Sequence, residues 1–346
     1  MDPNSLNLIK GAAGGGGYSG DIAVAHHTSP YISVYPWSPS GFGTKYANPS
    51  TLPTGNGKFT AFSPDGADLA VAFYITPYIA VYPWSSGFGT KYSNPSTLPA
   101  ARAYGVAFSP DGADLAVAHF TTPFVSVYPW SSGFGTKYAN PSSMMPDEGL
   151  GVAFSPDGAD IAISHQNWSV TSRYIAVYPW SSGFGTKYAN PATPPTDNGY
   201  GVAFSPDGAD IAVAHGGSPH ISVYPWSSGF GTKYANPSTL PTGCNGVAWT
   251  PDGATLAASQ TSSPYVSVYP WSSGFGTKYA DPSTLPAGAG HEVAWTPDGA
   301  NLAVAYGASP YINVYSWDAG FGTKYSDPST LPTGLGSGVA FSPEAA

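Results

Sequence analysis

The sequence predicts an all-β protein, a seven-bladed β-propeller of four-stranded antiparallel blades, on three observations. The segment GFGTKY occurs seven times, with its phenylalanine at Phe42, Phe88, Phe134, Phe184, Phe230, Phe275 and Phe321, spaced by about 46 residues. Apolar residues within each period alternate with a step of two, and no window keeps the 3.6-residue step of a helix. Gly (43) and Pro (36) are abundant, yet they fall at fixed offsets between the alternating runs and so read as turns.

One copy, residues 106–141, shows the elements in order. The first strand is VAFS, ended by Ser109-Pro110-Asp111-Gly112. Pro presets φ in this turn and Gly accepts a positive φ. The second strand, Asp114 to His119, sets Leu115 and Val117 on one face and alanines on the other. That pattern suits a sheet covered on both faces, its bulky side nesting against the small side of the next sheet. The third strand alternates Val125 and Val127 with Ser126 and Tyr128, and Pro129 ends its ladder. GTKYAN is expected to be a fourth strand, entered through Gly133-Phe134-Gly135. Four antiparallel strands per period, stacked radially, make a propeller.

The chain ends complete the pattern. The first copy starts at its second strand (Asp21, DIAVAH), while the last residues, Gly338 to Glu344, are a first strand with nothing after it. The C-terminal strand is therefore expected to join the N-terminal strands and close the ring. Residues 18–346 then form a single propeller, preceded by a Gly-rich arm over residues 1–17.

The run SPDGA, LAVA and YISVYPW resembles the WD-repeat and related bacterial propellers over residues 18–346. The chain departs from the WD pattern in lacking its Gly-His dipeptide and in reading Tyr-Pro-Trp where that family has Trp-Asp. The near-verbatim VYPWSSGFGTKYANPSTLP is also similar to propeller proteins encoded by bacteriophages, which implies a virion-associated component.

Composition narrows the function. Only 9% of residues are charged, the net charge is −9, and seven of the eleven basic residues are the Lys of each GTKY. No basic stripe is left to meet phosphates, so nucleic acid is not expected as a partner. No run is long and apolar enough for a membrane span, and the N-terminal residues lack a secretory signal. The expected location is the virion if the chain is phage-encoded, otherwise the cytoplasm. The single Cys244 reads as a spare loop thiol, since other copies carry no Cys there.

Motifs that could carry chemistry have structural readings beside them. Asp65, Asp111, Asp157, Asp207, Asp252 and Asp298 occupy the SPDG-type turns, with Asp68, Asp114, Asp160 and Asp210 three residues on. Calcium needs six to eight oxygens, and Thr255 and Asn301 replace the second Asp in two copies, so turn chemistry is the reading and no metal is expected. His26, His119, His165 and His215 end second strands but give way to Phe73 in another copy, a packing role. No copy has a unique Ser–His–Asp set or a nucleophile elbow. Neither catalytic residues nor a cofactor are expected.

Differences between copies collect in the loops from second to third strand and from fourth to the next first strand, which share one end of a four-stranded antiparallel blade. Binding candidates there are His26, His27, Lys58, Phe59, Tyr74, Arg102, Tyr104, Phe120, Trp168, Arg173, Tyr200, His220 and His291. The reading is a non-catalytic binding or structural module contacting other virion proteins or host-surface molecules, glycans among them. One alternative is a multivalent lectin using seven weak sites such as Trp130, Phe134, Lys137 and Tyr138. The other is a propeller hydrolase or lactonase, its site assembled across blades.

Overall fold

The computed structural model describes residues 17–166 and 174–344. The arm, up to residue 16, and Trp168 and Arg173 lie outside the described residues. Among the described residues the chain forms seven separate antiparallel sheets, two of four strands and five of three, and none of them closes on itself into a ring. The expectation of seven four-stranded blades in a closed ring is corrected on both counts.

A proline explains the missing fourth strands. In five copies the fourth-strand segment keeps only one bridge, such as Trp130 to Phe134, and its backbone donates from Gly135 N–H to Pro129 O and from Tyr138 N–H to Val127 O. Pro129 has no N–H to return, so the ladder cannot propagate. The seventh copy carries Ser316 at that position, and there Phe321–Lys324 forms a true fourth strand on Ile312–Trp317. In the first sheet Ile32–Ser38 pairs with the two-residue strand Gly41–Phe42.

The middle strand of every sheet is buried on both faces, as in Asp114–His119. Large faces small across each seam: Leu115 and Val117 pack on Ala70 and Ala72, and Ile161 and Ile163 on Ala116 and Ala118. Each innermost strand packs on the next, in the order Gly57–Phe62, Ala103–Phe108, Gly149–Phe154, Gly199–Phe204, Cys244–Trp249, Gly290–Trp295 and Gly336–Phe341, and the last packs back on the first. This contact is packing, without hydrogen bonds that would merge the sheets.

Two sets of carboxylates hold the repeated end. The first Asp stays within its turn: Asp111 Oδ1 accepts from Ser109 Oγ at 2.6 Å and from Ala113 N–H at 3.0 Å. The second Asp bonds the neighbouring sheet, which the sequence reading did not foresee. Trp130 Nε1–H donates to Asp68 Oδ2, Trp180 to Asp114 and Trp226 to Asp160, each at 2.8 Å. Trp271 donates to Asp210 at 2.9 Å and Trp84 to Asp21 at 2.8 Å. A hydrogen bond to a buried charged acceptor contributes about 1.5–3 kcal/mol.

Thr255 and Asn301 interrupt this series. Trp37 Nε1 and Asn301 Oδ1 are buried without a hydrogen-bond partner among the described residues. That seam is held by the chain ends instead. Gly336–Phe341 pairs antiparallel with Gly20–His26, Tyr18 N–H donates to Asp298 Oδ2 at 2.7 Å, and Tyr18 Oη donates to Ser342 O at 2.7 Å.

Candidate functional site

At the variable end, seven backbone irregularities aim seven side chains at one space. In six innermost strands the pairing register slips just after the first residue, and in the last strand it slips across Ser337. The residue skipped is Lys58, Tyr104, Leu150, Tyr200, Asn245, His291 or Ser337 (in one strand Gly246 is skipped as well). A bulged residue leaves the ladder and its side chain is re-aimed. All seven line a single cavity of about 300 Å³, together with His27 and Gln166 from the loops after the second strands. Backbone hydrogen bonds tie those loops to the segments leading into the innermost strands: His27 N–H to Leu335 O, Phe120 N–H to Arg102 O, Gln166 N–H to Glu148 O.

The following position is Gly105, Gly151, Gly201, Gly246 or Gly338 in five copies, because the neighbouring strand passes too close for a side chain. A Cβ at Gly338 would lie 2.8 Å from Phe59 Cα. Phe59 and Glu292 are the exceptions, and both reach the cavity. A Cβ at Gly246 would lie 2.5 Å from Glu292 Oε1, so that glycine makes room for the carboxyl group.

The polar groups are electrostatically unusual. Lys58 Nζ donates to His27 Nε2 at 2.7 Å, which leaves the imidazole proton on Nδ1. Burial first, and then the Arg102 charge, lower the Lys58 pKa to about 8. Burial, followed by the charges of Lys58 and His291, lowers His27 to about 4. His291 is likewise held near 4 by burial and by Lys58. Glu292 is buried, and its pKa is pushed up to about 8 against the hydrogen bond from Val293 N–H to Oε1. At neutral pH the cavity therefore presents an ammonium, two neutral imidazoles and a protonated carboxyl group.

The predicted binding residues divide. His27, Lys58, Phe59, Tyr104, Tyr200 and His291 line the cavity. Tyr74, Arg102 and Phe120 stand behind it, with Arg102 stacked 3.7 Å from the Phe120 ring centre and Lys58 4.3 Å from that of Tyr74. His220 Nδ1–H donates to Gly216 O at 2.8 Å, outside the cavity wall. His26 is fully buried and bonded to Ser33 Oγ at 3.0 Å, so it faces no ligand. Cys244 is no loop thiol: it is buried at the start of an innermost strand, and burial raises its pKa. Leu150, Asn245, Ser337, Gln166 and Glu292 were missed. Aligning the second residue of each innermost strand would have found the first three.

The sevenfold lectin site does not form. Trp130 is 6% exposed, with its indole N–H on Asp68 and its ring edge-on to Tyr92 and Phe134 at 5.2 and 5.1 Å. Lys137 is bonded to Asn140 Oδ1 at 2.5 Å. Among the described residues no group of three His, Cys, Asp or Glu side chains could hold a metal, and no helix is long and apolar enough to cross a membrane.

No protein-family model matches the chain, and no curated protein matches it either. Solved structures do. A candidate 6-phosphogluconolactonase from Bacteroides uniformis is 17% identical over 93% of this chain and 99% of its own, with a TM-score of 0.68. The periplasmic gluconolactonase of Pseudomonas aeruginosa is 19% identical over 94% and 99%, at 0.67. A protein from Lactobacillus plantarum is 17% identical over 94% and 99%, at 0.69. At these identities the likeness is one of fold, a multi-bladed β-propeller. It corrects the resemblance to WD-repeat and phage propellers. The reading built on that resemblance, a non-catalytic virion module contacting virion proteins, host surfaces or glycans, is corrected with it.

Proposed function

We propose that the chain, with residues 18–346 acting as one unit in a cytoplasmic or exported setting, hydrolyses a lactone in the central cavity. The observation that carries this reading is the convergence of Lys58, His27, His291 and Glu292 on one cavity of about 300 Å³, with Lys58 held 2.7 Å from His27. The lactonase names of similar folds agree with it.

Each group has a task. His27 accepts a hydrogen bond from Lys58 and so directs the ammonium, whose remaining N–H groups stabilise the oxyanion that forms on the lactone carbonyl. His291, in its base form, takes a proton from the attacking water. The water oxygen bonds to the carbonyl carbon, and the ring C–O bond then breaks. Glu292 gives its proton to the departing alkoxide and regains one from His291 through solvent. Lactone and water become one hydroxy acid.

The pH dependence has a definite sign. Raising the pH through about 8 removes the Lys58 charge and ionises Glu292, so both the oxyanion partner and the proton donor are lost. Lowering it through about 4 protonates His291 and removes the base. Turnover of γ-butyrolactone, followed by pH-stat above the uncatalysed rate, is therefore expected to be broad between about 4 and about 8 and to fall on either side. Folded protein that gives no turnover across that range overturns the proposal.

A further inference from the structure

The seven bulged positions are not chemically mixed around the cavity. In strand order, Tyr104, Leu150 and Tyr200 are consecutive, and Asn245, His291, Ser337 and Lys58 complete the circuit. One wall is built mainly of two tyrosine rings and Leu150, with Gln166 beside them, and the facing wall carries most of the polar groups. Val152, Val202 and Val247 also line the cavity, and two of them belong to the strands of the first wall. On the polar wall Ser337 Oγ is without a hydrogen-bond partner among the described residues. Tyr200 is 37% exposed, so the first wall reaches solvent.

We propose that the substrate is a lactone bearing an aliphatic substituent on its ring. The ring lies against Lys58 and His291, and the substituent against Leu150 and Tyr200. The inference rests on the hydrolytic reading for its ring chemistry and on the divided wall for its substituent. A fully hydroxylated lactone of the same size would press hydroxyl groups onto the Leu150 side chain, which cannot pair with them, leaving only Gln166 and the Tyr104 and Tyr200 hydroxyls on that wall to do so, and an unpaired buried hydroxyl is costly. A cavity of about 300 Å³ admits a five- or six-membered ring and a short chain.

The test uses the whole protein and two readouts. Hydrolysis is compared for γ-butyrolactone, γ-valerolactone, γ-hexalactone and γ-octalactone, with D-glucono-δ-lactone as the polar comparator. Binding of the matching γ-lactams, which resist hydrolysis, is measured by calorimetry. Each added methylene is expected to tighten lactam binding and raise kcat/KM about three- to fourfold until the chain leaves the cavity. In Leu150→Asn, whose fold is checked by its melt, that dependence is expected to flatten to less than twofold per methylene. Chain-dependent lactam binding without turnover supports the ligand class and sinks the hydrolytic reading. Turnover of D-glucono-δ-lactone with no gain along the alkyl series, or a series equally steep in Leu150→Asn, overturns the ligand class and leaves the reaction standing.

Discussion

The two ends of the molecule treat their polar groups in opposite ways. At the repeated end Asp111 is satisfied by its own turn, and Asp114 accepts from Trp180 at 2.8 Å and from Tyr138 at 2.9 Å. At the variable end Lys58 and His291 are half-buried, Glu292 is buried, and all three face a shared cavity. Near-identical residues thus bond one another across seams, whereas residues unique to one copy face a shared cavity. The difference separates what stabilises the fold from what can act on a ligand.

Three substitutions sharpen or break that comparison. The largest effect is expected from Lys58→Ala, which removes the oxyanion partner. The kcat/KM for the preferred lactone should fall on the order of 10²–10³-fold, while the melting temperature holds or rises, because a buried charge has been deleted. A variant that melts far lower would show that the cavity end is structural too. Asp114→Ala should do the reverse. It leaves the Trp180 indole and the Tyr138 hydroxyl without their acceptor, a loss of about 3 kcal/mol visible in denaturant unfolding, with kcat/KM little changed. Lost activity at an unchanged melt would erase the division between the ends. The smallest effect is expected from Asn301→Asp, which supplies the carboxylate that Trp37 lacks, gaining about 1 kcal/mol. A lower melt would mean that the Tyr18 clasp, rather than a missing acceptor, governs that seam.

What the sequence makes legible follows from where its information lies. Seven copies, the alternation and the SPDG turns announce antiparallel sheets, and the first copy's lack of VAFSPDG indicates that its strand must come from elsewhere; Gly336–Phe341 supplies it. The fourth strand was over-read because GTKYAN alternates well, while the deciding residue, Pro129, sits on the partner strand. The Asp–Trp bonds join residues such as Asp68 and Trp130, whose meeting depends on how successive sheets stack, so spacing alone cannot show them. In the site, loop variation pointed to the end that holds the cavity but could not separate Lys58, which is bulged into it, from Arg102, which stacks behind it. His26 and His27 are adjacent, yet one is sealed against Ser33 and the other meets Lys58. That distinction is set by where the second strand ends.

The proline that closes five of the seven third strands has a consequence for solubility. A chain of near-copies carries many chances for one repeat to mistake another, or a neighbouring molecule's, for its proper companion. An outer rim that could continue its hydrogen bonding would offer a template for such stacking. By stopping the ladder after a single bridge, Pro83, Pro129, Pro179, Pro225 and Pro270 leave little for a stray strand to copy.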